Sequence, residues 1–477
     1  MKATHRNAIV MLAGISLTAA TCVLAADWPQ WRGADRDGKV TGFTAPQTWP
    51  KELTAKWKVT VGIGDSTPAL VGDKLYVFTR EGDNEVTTCL SAADGKQVWQ
   101  DKYETISLSG PSANDHSGPR SSPAVADGKV VTFGVGAVLS CLDAESGKVV
   151  WRKQSAKDFS PAWPNFYTAM SPLIVDGMCI AHLGGAGKGA IIAYDLNDGG
   201  PKWRWDGEGP AYSSPILMSV DGTKAIVEAC EKSLVAIAVA DGKLLWQVPL
   251  GGGGGMARGG GRGGPPGGGP GGGPGGGGRG MGGRGRGMGG MSYNAATPII
   301  DGQTIIYAGQ GVKALQIEKQ DDAPVAKVLW NNSEVSTSFN TPVLKDGMLY
   351  GLSGSNSFFC LDAKTGKTLW TSNLTPAGGG GGGAGGGQAR GGGGRGMGGR
   401  RGGGMGRGGF GSILDAGSVL LAITPASELI VIKPDAKEFS AVARIKVADK
   451  PIYAYPIVSG NQLFIKDQDS LALYSLE

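Results

Sequence analysis

The sequence predicts an all-β protein built from about eight similar units of four short strands each. Three observations support this prediction. A segment of about ten residues recurs along the chain, as LSAADGKQVW, LDAESGKVVW, LNDGGPKW, VADGKLLW and LDAKTGKTLW. A second segment, a Ser-Pro or Thr-Pro dipeptide that opens a strand and is followed by a DG-type turn, stands upstream of these copies. No long helical periodicity interrupts the pattern.

Each copy of the first segment has the local chemistry of a β-hairpin. A turn glycine precedes a tryptophan by four residues, as Gly95 precedes Trp99 and Gly366 precedes Trp370. An alternating apolar strand, an Asp-Gly or Thr-Gly turn and a second strand with a large aromatic residue are typical of such hairpins. Because the tryptophans recur with the units, we expect them to pack between neighbouring units as structural residues. The set comprises Trp57, Trp99, Trp151, Trp203, Trp246, Trp330 and Trp370.

The Ser/Thr-Pro segments give the number of units. Clear forms occur at Pro68, Pro123, Pro172, Pro215, Pro298 and Pro342, with weaker forms near Ile413 and at Pro456. Four short strands in each unit of about 45 residues are typical of a β-propeller blade. The last unit ends before a fourth strand, and the N-terminal stretch LTAKWKVTVG can supply it and close the ring. We therefore predict eight blades. Seven is the alternative, because the unit near Ile413 is degenerate and lacks its tryptophan.

The repeat resembles that of a known family. The pattern [ST]-P … LDAxTGKxxW is similar to the pyrroloquinoline-quinone (PQQ) type repeat, which quinoprotein dehydrogenases share with the BamB-like lipoprotein of the outer-membrane β-barrel assembly machinery. The opening DWPQWRGADRDG (27–38) is similar to the start of many exported PQQ-like propeller proteins. The resemblance covers residues 27–477, apart from two glycine tracts, and implies one propeller domain. Fold alone does not settle function, because one propeller hosts many functions.

Two glycine tracts stand apart from the repeat. Residues 251–290 contain 27 glycines in 40 positions, and residues 378–411 contain 23 in 34. Glycine loses the most backbone entropy on ordering and buries no side chain, so we expect two disordered inserts. Each tract holds five arginines and no acidic residue. Setting aside these ten arginines, together with Lys2 and Arg6, turns the net charge of +5 into about −7 for the folded part.

The tracts are therefore interpreted as cationic arms that contact anionic lipid or polysaccharide. Nucleic acid is not an expected partner, because aromatic residues for base stacking are nearly absent from the tracts. The first tract has none, and the second contains only Phe410.

Residues 1–26 have the features of a secretory signal peptide. Lys2 and Arg6 form a basic region, and the apolar stretch that follows ends in VLAADW, which permits cleavage after Ala25 or Ala26. A retained membrane anchor and lipid attachment at Cys22 are the alternatives. We therefore expect an exported protein that is periplasmic, outer-membrane-associated or secreted.

Five cysteines remain beyond the signal segment, and none is adjacent to another. Cys89, Cys141 and Cys360 occupy the same place in three repeats, which favours buried structural thiols over disulfides or a zinc site. Quinoprotein alcohol dehydrogenases use an adjacent cysteine pair and a set of calcium ligands, and neither pattern is found here. We therefore predict no cofactor, no metal and no catalytic residue. The segment Asp35–Gly38 is interpreted as a turn rather than a calcium loop.

Candidate binding residues cluster just before the inner strands. In an up-and-down blade, the connections after the second and fourth strands emerge on one face, so these segments reach the central mouth of that face. The mouth residues are His116, Arg120, Tyr167, Tyr212, Tyr293, Asn294, Phe339, Asn340, Tyr453 and Tyr455. An aromatic and amide rim is typical of a binding surface. The alternative interpretation is that these are ordinary loop residues without a role in binding.

The sequence thus favours an exported, non-catalytic scaffold for other envelope proteins or extended peptides, which would be held at the mouth or at a blade edge. The alternative is a PQQ-dependent dehydrogenase that contains PQQ with Ca²⁺. In that case His116 would be the base, and Arg120 would hold the anionic quinone.

Overall fold

A computed structural model describes residues 26–109, 116–220, 222–250, 295–320, 323–374, 411–424 and 426–476. The expected signal segment, up to residue 25, lies outside these ranges. So do the first glycine tract and all but Gly411 of the second. Within the described ranges, no helix is long and apolar enough to cross a membrane.

The described residues form 32 strands and one 3₁₀ turn, Ser155–Lys157. The strands are β1 (Ala55–Thr60), β2 (Ala69–Val71), β3 (Lys74–Glu81), β4 (Asn84–Ser91), β5 (Gln97–Glu104), β6 (Ala124–Ala126), β7 (Lys129–Phe133), β8 (Val138–Asp143), β9 (Val149–Gln154), β10 (Leu173–Val175), β11 (Met178–Gly185), β12 (Lys188–Asp195), β13 (Pro201–Gly207), β14 (Ile216–Val220), β15 (Thr223–Ala229) and β16 (Ser233–Ala238). The second half continues with β17 (Leu244–Pro249), β18 (Ile299–Asp301), β19 (Thr304–Gly309), β20 (Gly311–Gln320), β21 (Ala323–Asn332), β22 (Val343–Lys345), β23 (Met348–Leu352), β24 (Ser357–Asp362), β25 (Thr368–Asn373), β26 (Ser412–Ala416), β27 (Val419–Ile423), β28 (Glu428–Lys433), β29 (Ser440–Lys446), β30 (Ile457–Ser459), β31 (Gln462–Lys466) and β32 (Ser470–Ser475).

The strands form eight antiparallel sheets of four strands each, which confirms the all-β propeller with eight blades. Blades 1 to 7 are consecutive quartets from β2–β5 to β26–β29, and blade 8 joins β30–β32 to β1. The N-terminal strand therefore closes the ring, as predicted, with Trp57 opposite Leu473. The degenerate unit near Ile413 is a complete blade, so the seven-bladed alternative is wrong.

Repeated tryptophans join most blades to the next one, and five of the junctions share the same two contacts. The indole of Trp99 in blade 1 covers Gly147 in the hairpin turn of blade 2 and donates its Nε1 proton to the Ala144 carbonyl at 3.0 Å. Trp57, Trp151, Trp203 and Trp330 repeat both contacts with their own following blades. The turn glycine and the tryptophan four residues later thus serve two different blade junctions.

Trp246 departs from this pattern, because the following blade lacks the glycine turn. In blade 5 the third and fourth strands, β20 and β21, contain ten residues each and continue past the usual turn position. Trp246 is 4% exposed, and its Nε1 has no hydrogen-bond partner among the described residues. The irregular repeat therefore leaves a buried donor unsatisfied at this junction.

The Ser/Thr-Pro segments form a second connection between blades, around the channel. The backbone amide of Thr67 donates to the Ser122 hydroxyl at 3.0 Å, and the amide of Ser122 donates to the Ser171 hydroxyl at 2.9 Å. The same bond links Ser171 to Ser214 and Thr297 to Thr341. In these four pairs of segments, the hydroxyl side chain that precedes the proline thus supplies an acceptor for another blade.

The N-terminal segment Ala26–Val40 fills the channel axis and is called the plug below. It contacts the inner strand, or the residues just before it, in every blade. Its partners, from blade 1 to blade 8, are Leu70, Val125, Pro172, Pro215, Thr297, Pro342, Asp415 and Ser459. The plug lies toward the face that carries the turns between the first two strands of each blade, since Asp27 accepts from Gly72 and Ala26 from Ser459 at those turns.

Candidate binding site at the mouth

Eight of the ten predicted mouth residues lie in the described part of the chain. Tyr293 and Asn294 lie outside it. The eight fall into two groups: six that precede the inner strands of blades 2, 3, 4, 6 and 8 and lie near the opening, and two that lie deeper. A role for any of them in binding stays a prediction.

His116 lies at the opening in contact with an acid and an aromatic ring. Its Nδ1 is 2.6 Å from a carboxylate oxygen of Asp65, and the two side chains are 21% and 13% exposed. The ring of Tyr453 meets the imidazole edge-on, with the centroids 4.6 Å apart. Asp65 immediately precedes the first Ser/Thr-Pro segment, so segments from three blades build this contact.

Arg120 connects this pair to the tyrosines. Its Nη2 donates to the His116 carbonyl at 2.8 Å, whereas Nη1 has no acceptor among the described residues. Burial lowers the pKa of the guanidinium, and the nearby charge of Asp65 opposes that effect, as do the hydroxyls of Tyr212 and Tyr167. A guanidinium proton without an acceptor inside a tyrosine-lined opening is a donor that a ligand can use after a small rearrangement.

Tyr167 is held in an uncommon backbone conformation. Its φ of 65° lies in the left-handed region, which is an outlier for a bulky side chain and is often found at functional sites. The hydroxyl accepts a hydrogen bond from the Ser109 amide at 2.9 Å, and the ring stacks on Trp163 at a centroid distance of 5.9 Å. Beside it, the hydroxyl of Tyr212 accepts a bond from the Phe166 amide at 3.2 Å. These contacts fix the aromatic side of the mouth.

Two predicted residues are buried below the opening. Tyr455 is 2% exposed, and its hydroxyl accepts a hydrogen bond from Arg32 of the plug at 3.1 Å. Asn340 is 1% exposed, whereas its neighbour Phe339 is 41% exposed. The sequence pattern placed all three on one rim, but alternate residues of an extended segment point to opposite sides. Phe339 therefore offers open surface to a partner, and the other two do not.

The structure adds Lys466, which the sequence analysis missed. Its ammonium is buried, donates to the carbonyls of Gly64 and Asp467, and lies within electrostatic range of Asp65. Burial lowers its pKa to about 8. A lysine that ends the apolar run QLFIK, with the last four residues of the strand buried, was the available signal.

These features define a class of protein, an eight-bladed propeller of PQQ-like repeats with a polar and aromatic mouth. The family model described as outer membrane protein assembly factor BamB matches residues 82–261 and 282–372, more than half of the chain. The chain belongs to this family.

The chain also resembles individual known proteins, at low sequence identity. The outer membrane protein assembly factor BamB of Yersinia pestis is 28% identical over 205 residues, which are 41% of this chain and 47% of that protein. The match thus spans about half the length of this curated relative.

Solved structures share the fold. BamB from Moraxella catarrhalis superposes with a TM-score of 0.57 at 14% identity, covering 89% of this chain and 99% of that one. Quinohemoprotein alcohol dehydrogenase from Comamonas testosteroni gives 0.59 at 13% identity, covering 94% and 80%. A europium-containing methanol dehydrogenase gives 0.58 at 13% identity, covering 94% and 90%. At these identities the likeness concerns the fold alone.

The alternative of a PQQ-dependent dehydrogenase requires a site for a quinone with a metal ion, and it stays a prediction. In the ranges that the structure covers, no three His, Cys, Asp or Glu side chains stand close enough to hold a metal. The five cysteines are buried separately in the blades, and burial raises the pKa of the Cys89, Cys141 and Cys360 thiols to about 12. No adjacent thiol pair lies at the mouth.

Proposed function

We propose that the chain is an exported binding scaffold of the cell envelope that holds extended segments of other envelope proteins at its mouth. Membership of the BamB family supports a role in outer-membrane protein assembly and a periplasmic, outer-membrane-associated location. The observation that carries the proposal is the Arg120 guanidinium, whose Nη1 has no hydrogen-bond acceptor among the described residues and which lies within electrostatic range of Tyr167 and Tyr212.

This chemistry suits an extended polypeptide better than a small cofactor. Carbonyl and carboxylate oxygens of a peptide accept hydrogen bonds from a guanidinium, and aromatic side chains supply the apolar contact area that interface hot spots use. Phe339 extends the aromatic surface across to blade 6. The cationic arms of the glycine tracts are proposed to add contacts with anionic lipid or polysaccharide.

The proposal is tested with an unfolded outer-membrane β-barrel protein, diluted from urea, as the probe. We expect the mature chain to bind it, and Tyr212→Ala with Tyr453→Ala to weaken binding at least tenfold, as measured by biolayer interferometry. Val98→Ala is the matched control, because Val98 is a 51% exposed side chain on the outer strand of blade 1. Equal loss in the control, or no binding by the wild type, would contradict the proposal.

The dehydrogenase alternative has its own test. The mature chain is reconstituted with PQQ and Ca²⁺, washed, and assayed by absorbance and by dye reduction with alcohols and sugars. Retained quinone and turnover that His116→Ala abolishes, with probe binding unchanged, would establish an enzyme in place of a scaffold.

A further inference from the structure

The plug occupies the channel in the manner of a bound peptide. Its main chain exchanges hydrogen bonds with the blades at both ends. Trp28 and Leu70 pair through two backbone bonds of 2.8 and 2.9 Å, and Asp415 pairs with Gly38 and Val40 at 2.9 and 2.8 Å. The plug is not part of any of the eight sheets, although one isolated bridge forms at each end. It is therefore held by surfaces that the finished ring presents.

Two arginines carry most of the specific contacts. Arg32 uses all five of its donors, on the carbonyls of Arg36, Asp37, Thr341 and Pro342 and on the Tyr455 hydroxyl, at 2.8 to 3.2 Å. Arg36 donates to the Gln30 side chain and to the carbonyls of Ser171, Pro172 and Pro215. Both guanidinium groups are buried, at 0% and 2% exposure.

The acceptors select a guanidinium over an ammonium. Neither arginine forms an ion pair with a carboxylate in the described part of the chain. Carbonyl dipoles spread around the channel therefore stabilise the two buried charges, and the Glu228 carboxylate, which lies within electrostatic range, adds to this for Arg36. The three donors of a lysine ammonium all lie on one nitrogen atom. They cannot reach carbonyls of two blades at once, as the planar guanidinium of arginine does.

Two tryptophans fix the orientation of the segment. Trp28 is 2% exposed, and its ring covers Gly33, which has a φ of 88°. Trp31 meets the ring of Tyr455 edge-on at 4.9 Å and donates its Nε1 proton to the Thr297 hydroxyl at 3.0 Å. The spacing of Trp28, Trp31, Arg32 and Arg36 thus matches positions on several different blades.

The plug is joined to the ring through a separable connection. Residues 41–54, between the plug and β1, form no strand or helix, and most of them are exposed, although Phe43, Ala45, Trp49 and Leu53 pack partly buried against the core. A segment linked in this way binds its own ring at a high effective concentration, without being part of a blade. Arg32 and Arg36 have φ values of 60° and 58°, an uncommon conformation that the docked state maintains.

We propose that the channel axis is a peptide-binding site for segments of the form W-x-x-W-R-x-x-x-R and that the N-terminal plug occupies it in cis. The site recognises arginine-bearing peptides through inner-strand carbonyls and is distinct from the mouth. Release of the plug opens it to a segment of the same chemistry from another chain. This inference does not depend on what the mouth binds.

The test uses the full mature chain and a fluorescein-labelled synthetic peptide of residues 26–40. The variant Arg32→Ala with Arg36→Ala weakens the plug, and we expect it to bind the peptide at least tenfold more tightly than the wild type in fluorescence anisotropy. A peptide with both arginines replaced by lysine should bind at least tenfold more weakly. A variant with wild-type circular dichroism and a cooperative melt that does not bind the peptide would overturn the proposal.

A second measurement keeps the proposal testable if that variant fails to fold. Hydrogen exchange followed by mass spectrometry compares the wild-type plug with strands β3 and β4. A displaceable plug should exchange at least tenfold faster than these strands, through its own local opening. Exchange of the plug only together with the blades would show that it is an integral part of the fold and would overturn the inference.

Discussion

The contact between a tryptophan and the turn glycine of the next blade can be tested by adding one methyl group. Gly147 has a φ of 71°, and a Cβ placed there would lie 2.5 Å from Cε3 and 2.6 Å from Cδ2 of Trp99. Trp99 is 9% exposed and cannot move aside without breaking its bond to the Ala144 carbonyl. We therefore expect Gly147→Ala to displace the indole and to loosen the junction between blades 1 and 2.

The magnitude is the sum of three effects. The left-handed backbone conformation costs about 1 to 2 kcal/mol for alanine. Overpacking of a filled site costs about 1 to 3 kcal/mol, and the lost indole hydrogen bond costs about 1 kcal/mol. Gly147→Ala should therefore lower the free energy of unfolding by about 3 to 6 kcal/mol.

Gly128 in the same blade is the matched control. It has a φ of 69°, but nothing lies within 4 Å of an added Cβ. Gly128→Ala should lower the free energy of unfolding by only the backbone contribution, about 1 to 2 kcal/mol. Urea unfolding followed by tryptophan fluorescence measures both variants. Equal losses for the two variants would refute the blade-junction account, because the tryptophan contact would then contribute nothing.

Three further predictions concern single side chains. Arg32→Lys should lower the free energy of unfolding by about 3 kcal/mol in a urea titration, since at least two charge-assisted hydrogen bonds are lost. In the same titration, Arg204→Lys on the surface should change the free energy of unfolding by no more than about 0.5 kcal/mol. Trp246→Phe should be less destabilising than Trp203→Phe by about 1 kcal/mol in thermal unfolding, because only Trp203 loses an indole hydrogen bond; the reverse order would contradict this. Burial lowers the pKa of Lys466 to about 8, against 10.5 in the unfolded chain. Between pH 8 and pH 10.5 the unfolded state therefore binds more protons than the folded state, so the free energy of unfolding rises with pH. Relative to Lys466→Met, the wild type should gain up to about 3 kcal/mol across that window, and a flat difference would contradict the assigned pKa.

The blades could be predicted from the sequence because their determinants are local and repeated. The Asp-Gly and Thr-Gly turns, the alternating strands and the Ser/Thr-Pro dipeptides recur at nearly constant spacing. Even the unit near Ile413, which lacks its tryptophan, forms a blade, because its strands keep the alternation and its neighbours provide the rest of the core. Local pattern was sufficient for the architecture.

The plug could not be predicted in this way, because its contacts are long-range and occur once. Arg32 and Arg36 sit in a short segment whose local sequence indicates only turns, and five of their nine acceptors are backbone carbonyls far along the chain. Every residue has a backbone carbonyl, so such an acceptor cannot be recognised from the residue type. The only available signal was two arginines and two tryptophans close together outside the repeat.

The mouth was predictable in part. Topology placed His116, Arg120 and Tyr453 near one opening, and the structure brings them together. The repeat topology could not reveal that the plug contacts Tyr455 from below, since this contact depends on a segment that is not part of the repeat. It could not reveal the partner of His116 either, because Asp65 lies in a different blade and in no repeated motif.

Site-specific photo-crosslinking in intact cells tests the central claim most directly. A photoreactive phenylalanine analogue replaces Tyr453 or Phe339 at the mouth, or Val98 on the outer strand of blade 1 as control, and the adducts are identified by mass spectrometry. The account predicts adducts with outer-membrane assembly proteins or unfolded barrel proteins from both mouth positions and far fewer from Val98. Adducts of equal abundance from all three positions, or from Val98 alone, would contradict a binding site at the mouth.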